Sequence, residues 1–182
     1  MQESFAAQYI QEAKVEFRKL KLLAEKALAQ ISEAQLFATL DKESNSIAVI
    51  IKHMAGNMRS RWTDFLTSDG EKPDRHRDSE FEIDQGTTRE WIMKSWEDGW
   101  RCLIGAIEQL TAADIGRTVL IRGQPHSVMQ AVNRQLTHYA CHVGQIVFLA
   151  RHHAGEKWQS LSIPRGKSEQ VNKAMWKKRE RA

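Results

Sequence analysis

The sequence is poor in cysteine, with Cys102 and Cys141 its only two. They lie far apart in stretches of helical periodicity, which argues against a disulfide framework and favours a reducing compartment. Long apolar runs are also missing, because none reaches the roughly 18 residues of a membrane span. Glu3, Glu12 and Glu16 interrupt the start, where a signal peptide needs an apolar segment. We therefore expect a cytoplasmic protein without a membrane partner.

The excess of positive charge is small and concentrated at one end. The net charge is +4, and five basic residues cluster near the C-terminus: Lys173, Lys177, Lys178, Arg179 and Arg181. The rest of the chain mixes the two signs evenly and contains no recognisable nucleic-acid docking motif. We therefore expect a solvated terminus and no nucleic-acid partner. The sequence also lacks an obvious Ser-His-Asp arrangement, phosphate loop or second metal cluster, which argues against nucleotide chemistry.

The length of 182 residues, with 41% hydrophobic and 27% charged residues, suits one well-buried core and is short for two domains. We expect a single domain over residues 1–182. Within it, residues 158–182 form a C-terminal extension that packs on the domain or trails from it. A short helix in this extension would carry Val171, Ala174 and Met175 on one face.

Apolar residues recur at spacings of three and four in four stretches, the pattern of amphipathic helices. The predicted helices run from Ser4 to about Ile31, from about Ser46 to Leu66, from Thr87 to near Leu110 and from about Ser127 to Ala150. The fold class is therefore predicted to be all-α.

Two of these helices are predicted to begin with capping boxes, in which a hydroxyl cap and a residue three positions later satisfy each other's backbone N–H. One box pairs Thr87 with Glu90, and the other pairs Ser127 with Gln130. The stretch from Gly116 to His126, between the last two helices, is β-prone and closed by a glycine turn. It predicts a small hairpin or one extended arm.

The last predicted helix carries two histidines four residues apart, His138 and His142. Their rings lie about 40° apart and roughly one turn along the helix, so both can bind one ion. Both lie at the margin of an apolar arc, between a packed core and a polar mouth. The alternative is two partly buried histidines with satisfied hydrogen bonds, and a third ligand would decide between these interpretations.

His53 lies at the margin of the apolar arc of the second predicted helix, with Asn57 one turn later. A lone histidine in such a place is structural more often than not. Two helices that each carry imidazole at the edge of an apolar arc can nevertheless supply a facial three-histidine site between them. The remaining histidines of this region are expected outside that site, because His126 precedes a cap and His152 and His153 follow the predicted helix end.

The connection from Thr67 to Gly86 is long, contains little apolar material and is rich in acidic residues. A loop of this length inside a compact domain is either functional or mobile. We therefore expect either a lid or partner surface, or a merely flexible connection.

Three segments of the chain resemble one known family. They are Ile51 to Met58 around the first histidine, Asn133 to Ile146 around the pair, and Leu161 to Ser168 in the tail. With the helical pattern they resemble the DinB-like metalloprotein superfamily over nearly the whole chain, and more closely its uncharacterised DUF1572 branch. The resemblance implies a DinB-like four-helix bundle with a short β-prone arm before the fourth helix.

In that superfamily one metal ligand comes from the second helix and two from the fourth, which the resemblance maps onto His53, His138 and His142. Characterised relatives include transferases and isomerases that use low-molecular-weight thiols such as bacillithiol or mycothiol, and many members have no known activity. The resemblance therefore implies a metal-dependent thiol transferase or isomerase acting on a small electrophile, or else a non-catalytic metal-binding structural or stress-related protein. It also implies a homodimer.

Three neutral imidazoles leave a coordination position for water or a thiolate, and a divalent ion would lower the pKa of either. Zinc or nickel fits three nitrogens best, with iron, cobalt or manganese as further candidates. Asn57, Gln145 and Asp64 are candidates for orienting the imidazoles or the exogenous ligand. Arg134, near the polar mouth, is a candidate for holding an anionic substrate group.

Overall fold

The computed structural model describes residues 4–179, and for residues 177–179 it describes the backbone alone. This part of the chain is mostly helical, with one two-stranded sheet. The helices are α1 (Phe5–Leu28), α2 (Glu33–Phe37), α3 (Ile47–Trp62), α4 (Arg89–Glu108), α5 (Val128–Ala154) and α6 (Ser168–Arg179). The strands are β1 (Thr118–Ile121) and β2 (Gln124–Ser127). None of the described helices is long and apolar enough to cross a membrane.

The first predicted helix is divided in the structure. α1 ends at Leu28, and Ser32 then caps the short α2 through a complete capping box with Gln35. Ile31 and Leu36 are both buried on either side of this new cap. The apolar periodicity therefore continues after the helix has ended, and for this reason it did not reveal the break.

α3 is the central helix, in contact with both α4 and α5. All of its residues are buried except Lys52 and Arg59. It ends at Trp62 rather than at the predicted Leu66, and Asp64 follows with a positive φ of 48°. Asp64 therefore does not continue the helical stripe on which the sequence pattern placed it.

The N-terminus of α4 is capped one residue later than predicted. The hydroxyl of Thr88 accepts a hydrogen bond from the backbone N–H of Trp91. The predicted box of Thr87 with Glu90 is wrong, because two adjacent threonines offered alternative caps and the sequence pattern did not separate them.

The β-prone stretch forms the predicted hairpin. β1 pairs with β2 in antiparallel register, and the turn between them contains Arg122 and Gly123 with positive φ angles of 56° and 71°. Two such residues give the turn the twist that a two-residue hairpin connection needs. The hairpin leads directly into α5, where Ser127 and Gln130 form the predicted capping box.

α5 extends to Ala154, so His152 and His153 lie in its last turn rather than beyond its end. The backbone carbonyl of His153 accepts a hydrogen bond from Gln35 Nε2 at 2.6 Å. The extra turn is thus tied to α2, a tertiary contact that the local sequence pattern does not contain.

The buried faces of α1, α3, α4 and α5 meet in one apolar core. Its largest fully buried side chains come from all four helices: Phe17, Trp62, Trp96, Trp100 and Tyr139. The Tyr139 hydroxyl accepts a hydrogen bond from Trp62 Nε1 at 3.2 Å and donates one to Asn57 Oδ1 at 2.9 Å. These bonds satisfy a polar group in the core and fix α5 against α3.

The start of the C-terminal extension packs on the core. Trp158 and Leu161 are partly buried against the core, and the backbone N–H of Gln159 donates to Gln30 Oε1 at 2.7 Å. In α6, by contrast, Met175 and Trp176 are mostly exposed. The rest of the predicted basic cluster lies outside the described side chains: Lys177, Lys178, Arg179 and Arg181.

We predict that two glycines of α4 respond to alanine with opposite signs. A Cβ at Gly99 would lie 3.0 Å from the Cα of Ala55 on α3, whereas a Cβ at Gly105 would meet no atom within 4 Å. Gly99→Ala should therefore lower the free energy of unfolding by about 1–3 kcal/mol through overpacking. Gly105→Ala should raise it by roughly 0.5–1 kcal/mol, because alanine favours the helix. Chemical denaturation of both variants checks this, and equal effects would contradict the close packing of α3 on α4.

Candidate metal centre

Three histidines from two helices meet between α3 and α5. His53 lies on α3 and is 6% exposed, and His138 and His142 lie one turn apart on α5 and are half-buried. His138 Nε2 lies 3.4 Å from His53 Nε2 and 3.0 Å from His142 Nε2. One ligand atom from each ring lies within 4.8 Å of the other two, so the group could hold a metal ion.

These separations agree with the geometry of a small divalent ion. Nitrogen ligands at about 2.05 Å from an ion are about 3.3 Å apart at the tetrahedral angle. The two measured Nε2 separations, 3.0 and 3.4 Å, lie on either side of that value. Two of the three separations between ligand atoms thus already match those around one bound ion.

Hydrogen-bond partners on the far side of two rings determine which ring nitrogen carries the proton. His53 Nδ1 lies 2.8 Å from a carboxylate oxygen of Glu80, and His142 Nδ1 lies 2.8 Å from Gln145 Oε1. Both partners are acceptors, so each Nδ1 carries a hydrogen. In the neutral rings the Nε2 atoms of His53 and His142 therefore present lone pairs towards His138. A cation between the rings would satisfy both.

The environment favours the neutral form of the α5 histidines. Burial, with a smaller contribution from the neighbouring His142 and His53, lowers the pKa of His138 from 6.5 to about 3. Burial also lowers the pKa of His142, although the hydrogen bond with Gln145 partly opposes this. Neutral imidazole is the form that binds metal, so both rings are ready to act as ligands at neutral pH.

The Glu80 carboxylate accepts the hydrogen bond from His53 Nδ1, and Arg75 in turn binds this carboxylate. Arg75 donates to both carboxylate oxygens of Glu80, from Nε at 2.8 Å and from Nη2 at 2.9 Å. Burial raises the pKa of Glu80, but the hydrogen bonds with His53 and Arg75 outweigh it and keep the pKa below the usual 4.5. A carboxylate behind an imidazole ligand fixes the ring orientation and increases its basicity.

The approach of Glu80 to α3 depends on Gly56. A Cβ at this position would lie 2.7 Å from Glu80 Cδ and closer still to one carboxylate oxygen. Any larger residue would thus displace the carboxylate from His53. Gly56 follows His53 by three residues, so one turn of α3 supplies both the imidazole and the space for its partner.

A chain of ion pairs connects Glu80 to the hairpin. Arg75 also contacts Glu71, which accepts hydrogen bonds at 3.0 Å from Arg61 of α3 and from Arg122 of the hairpin turn. The neighbouring Asp69 accepts from the backbone N–H groups of the same turn, Arg122 and Gly123, at 2.8 and 2.6 Å. The connection 67–86 thus supplies the hydrogen-bond partner of His53. The sequence had predicted a lid or partner surface, or a merely flexible connection, and neither includes this role.

The other candidate residues from the sequence differ in whether they contact the triad. Gln145 contacts His142, as described above, whereas Asn57 accepts its hydrogen bond from the Tyr139 hydroxyl. Arg134 is exposed on α5. His126 lies in β2, where its Nδ1 is 3.0 Å from the backbone carbonyl of Gln124, and it is not part of the three-histidine group.

Comparison with known proteins supports the resemblance at the level of the family. A family model described as "Protein of unknown function (DUF1572)" matches residues 4–167. The chain belongs to the DUF1572 family. This match contains all three histidines as well as Glu80 and Arg75. No curated protein matches the sequence, so the chemistry of this DUF1572 chain has to be inferred from its site.

We predict that Glu80→Ala is strongly destabilising. Glu80 and Arg75 have side chains that are 8% and 5% exposed, and removal of one partner of a buried pair typically costs about 3–5 kcal/mol. Asp78→Ala is the matched control, because that acid lies two residues away in the same 3₁₀ turn with a fully exposed side chain. It should change the free energy of unfolding by less than about 0.5 kcal/mol. Similar midpoints for the two variants in urea denaturation would show that Glu80 does not hold the site together.

Proposed function

We propose that this DUF1572 chain is a divalent-metal-binding protein of the DinB-like type, a single four-helix-bundle domain in which His53, His138 and His142 are the ligands. The observation that carries the proposal concerns the Nε2 atoms of His53 and His142. Each presents a lone pair towards His138, because the Nδ1–H on the other side of its ring donates to Glu80 or to Gln145, respectively. Zinc or nickel suits three imidazole nitrogens best, and iron, cobalt or manganese can also bind them.

We propose further that the site is catalytic and acts on a low-molecular-weight thiol and a small electrophile, as a thiol transferase or isomerase. A divalent ion held by three protein ligands would lower the pKa of a thiol or water molecule at a fourth position and so supply a nucleophile near neutral pH. Three protein side chains converge on one point, and three is the ligand number of catalytic rather than closed structural zinc sites.

The residues of the chain have separate roles in this proposal. Glu80 keeps a proton on His53 Nδ1, and Gln145 does the same for His142, so both Nε2 atoms remain free to bind. Arg75 keeps Glu80 ionised and in place. Burial of His53 limits the access of water to one side of the site.

The alternative is a non-catalytic role in which the ion joins α3 to α5. His53 is almost fully buried, and its ring lies against His138 and His142 of α5. An ion bound there would stabilise the packing of the two helices by its binding free energy. A homodimer in the cytoplasm is part of either proposal.

We predict that metal content requires His53 as much as it requires the pair on α5. His53→Ala leaves two ligands on one helix and should lower both the metal content, from one ion per chain, and the thermal unfolding temperature. The control is His126→Ala, which removes a histidine of β2 and should leave both quantities near wild type. Elemental analysis of protein purified without an affinity tag provides the measurement. Full metal in His53→Ala with loss in His126→Ala would refute the ligand assignment.

A second prediction separates catalysis from a structural role. In cobalt-substituted protein, addition of 2-mercaptoethanol should produce new absorption bands if an exchangeable position exists, because the thiolate becomes a ligand. An unchanged spectrum at saturating thiol would mean that the coordination sphere is closed, and would favour the structural role. His142→Ala loaded with cobalt serves as the reference for an incomplete site.

A further inference from the structure

A groove with a volume of about 500 Å³ lies beside the triad. Its walls are Leu40, Ser44 and Asn45 before α3, Ile50 of α3, and residues of α5 between Cys141 and Leu149. We call it the neutral groove, because none of the described residues that line it is charged at neutral pH. Its polar groups are the side chains of Ser44, Asn45, Cys141 and Gln145.

The neutral groove is within about one helical turn of the triad on both helices. Ile50 precedes His53 by three residues on α3, and Cys141 and Gln145 flank His142 on α5, so each is roughly 5 Å or less along its helix from a triad residue. Gln145 belongs to both features, because it lines the groove and its Oε1 lies 2.8 Å from His142 Nδ1. A molecule in the groove therefore lies beside Gln145, on the Nδ1 side of the His142 ring.

A second cavity on the other side of Glu80 provides a contrast. Its volume is about 670 Å³, and its walls include side chains of both charges, among them Arg59, Lys72 and Asp74. Arg75 also lines this cavity, and its guanidinium is already paired with Glu80 and Glu71. Charged side chains thus line the cavity beside Glu80, whereas the residues that line the groove beside His142 are uncharged.

We propose that the neutral groove binds an uncharged small molecule with an apolar body and a polar end, next to His142 of the triad. Phe148 and Leu40 remain 65% and 44% exposed at its walls, and an apolar ligand would remove them from water. An ion would lose its hydration there without gaining a counter-charge. This inference names the substrate class of the proposed metal centre and rests on that proposal for its chemistry, although binding in the groove can be tested independently.

The dimensions of the groove favour a small molecule over a second copy of the chain. A volume of about 500 Å³ is within the range of small-molecule sites. A specific protein interface needs about 800 Å² from each partner and a cluster of apolar anchors. Among the described residues of the groove, only Phe148 and Leu40 are large apolar side chains with substantial exposure.

The test uses two probes of similar size that differ in charge. Benzyl alcohol is uncharged, and benzylamine is a cation at neutral pH. Each is titrated into the metal-loaded full chain, with backbone amide shifts recorded by NMR. Benzyl alcohol should bind in the millimolar range expected for so small a ligand and shift the amides of Gly144, Gln145 and Phe148. Benzylamine should bind at least about tenfold more weakly, because none of the described residues that line the groove is acidic and the neighbouring Asp41 carboxylate already accepts from the backbone N–H groups of Glu43 and Ser44. Equal affinities, or shifts located elsewhere, would overturn the proposal.

A pair of glycine variants shows whether the groove itself is occupied. Gly144 lines the groove, and a Cβ there would meet no atom within 4 Å, so Gly144→Leu should fill the space without disturbing the helix. Gly105→Leu is the matched control on α4, at a glycine with the same free space that lines a different cavity. Benzyl alcohol binding should fall at least about tenfold in the first variant and stay unchanged in the second. Unchanged binding in Gly144→Leu contradicts the proposal.

Cobalt loading distinguishes failure of the groove from failure of the metal centre. If both proposals hold, paramagnetic cobalt should shift the proton signals of benzyl alcohol in wild type and leave them unshifted in Gly144→Leu. A chain that binds no cobalt but still binds benzyl alcohol at the amides of the groove would refute the metal centre and support the groove. If light scattering shows a dimer and the same amides shift with protein concentration alone, a second copy occupies the groove and the proposal is wrong.

Discussion

The hydrogen bond between the Glu80 carboxylate and His53 Nδ1 is the interaction on which the site depends. It places a proton on one ring nitrogen and leaves the other, Nε2, with a lone pair directed at His138. The carboxylate can approach because Gly56 has no side chain, and it stays ionised because Arg75 donates to both of its oxygens. A buried acid in a 3₁₀ turn of the connection 67–86 thus determines what a histidine on the central helix can bind.

The core behind the triad determines where the two ligand-bearing helices lie. The Tyr139 hydroxyl bridges Trp62 and Asn57, so the residue after His138 is fixed against the face of α3 that carries His53. An ion in the triad would add a second connection between the same two helices on the solvent side of this one. Metal binding and helix packing are therefore expected to stabilise each other.

Sequence patterns were informative wherever the structure follows local rules. Periodicity predicted the four long helices, and the cap at Ser127, the hairpin and the convergence of His53 with the α5 pair were also predictable. Glu80 was not, because it lies 27 residues from His53 in a segment with no period and many other acids. The only signal was indirect: Gly56 leaves a gap one turn after His53 on a helix that is otherwise buried. The break after Leu28 is followed by a local signal, the capping box of Ser32 with Gln35, which the continuing apolar periodicity concealed. The extra turn of α5 instead depends on a contact with α2, which no local pattern contains.

The central claim is that three imidazole nitrogens bind one divalent ion between α3 and α5. X-ray absorption at the metal edge of protein purified without an affinity tag tests it most directly, because the spectrum reports the type, number and distance of the ligands. For zinc, we predict three imidazoles with nitrogens at about 2.0–2.1 Å, together with one or more light exchangeable ligands. A sulfur shell from cysteine near 2.3 Å, fewer than three imidazoles, or an ion content far below one per chain would contradict the account.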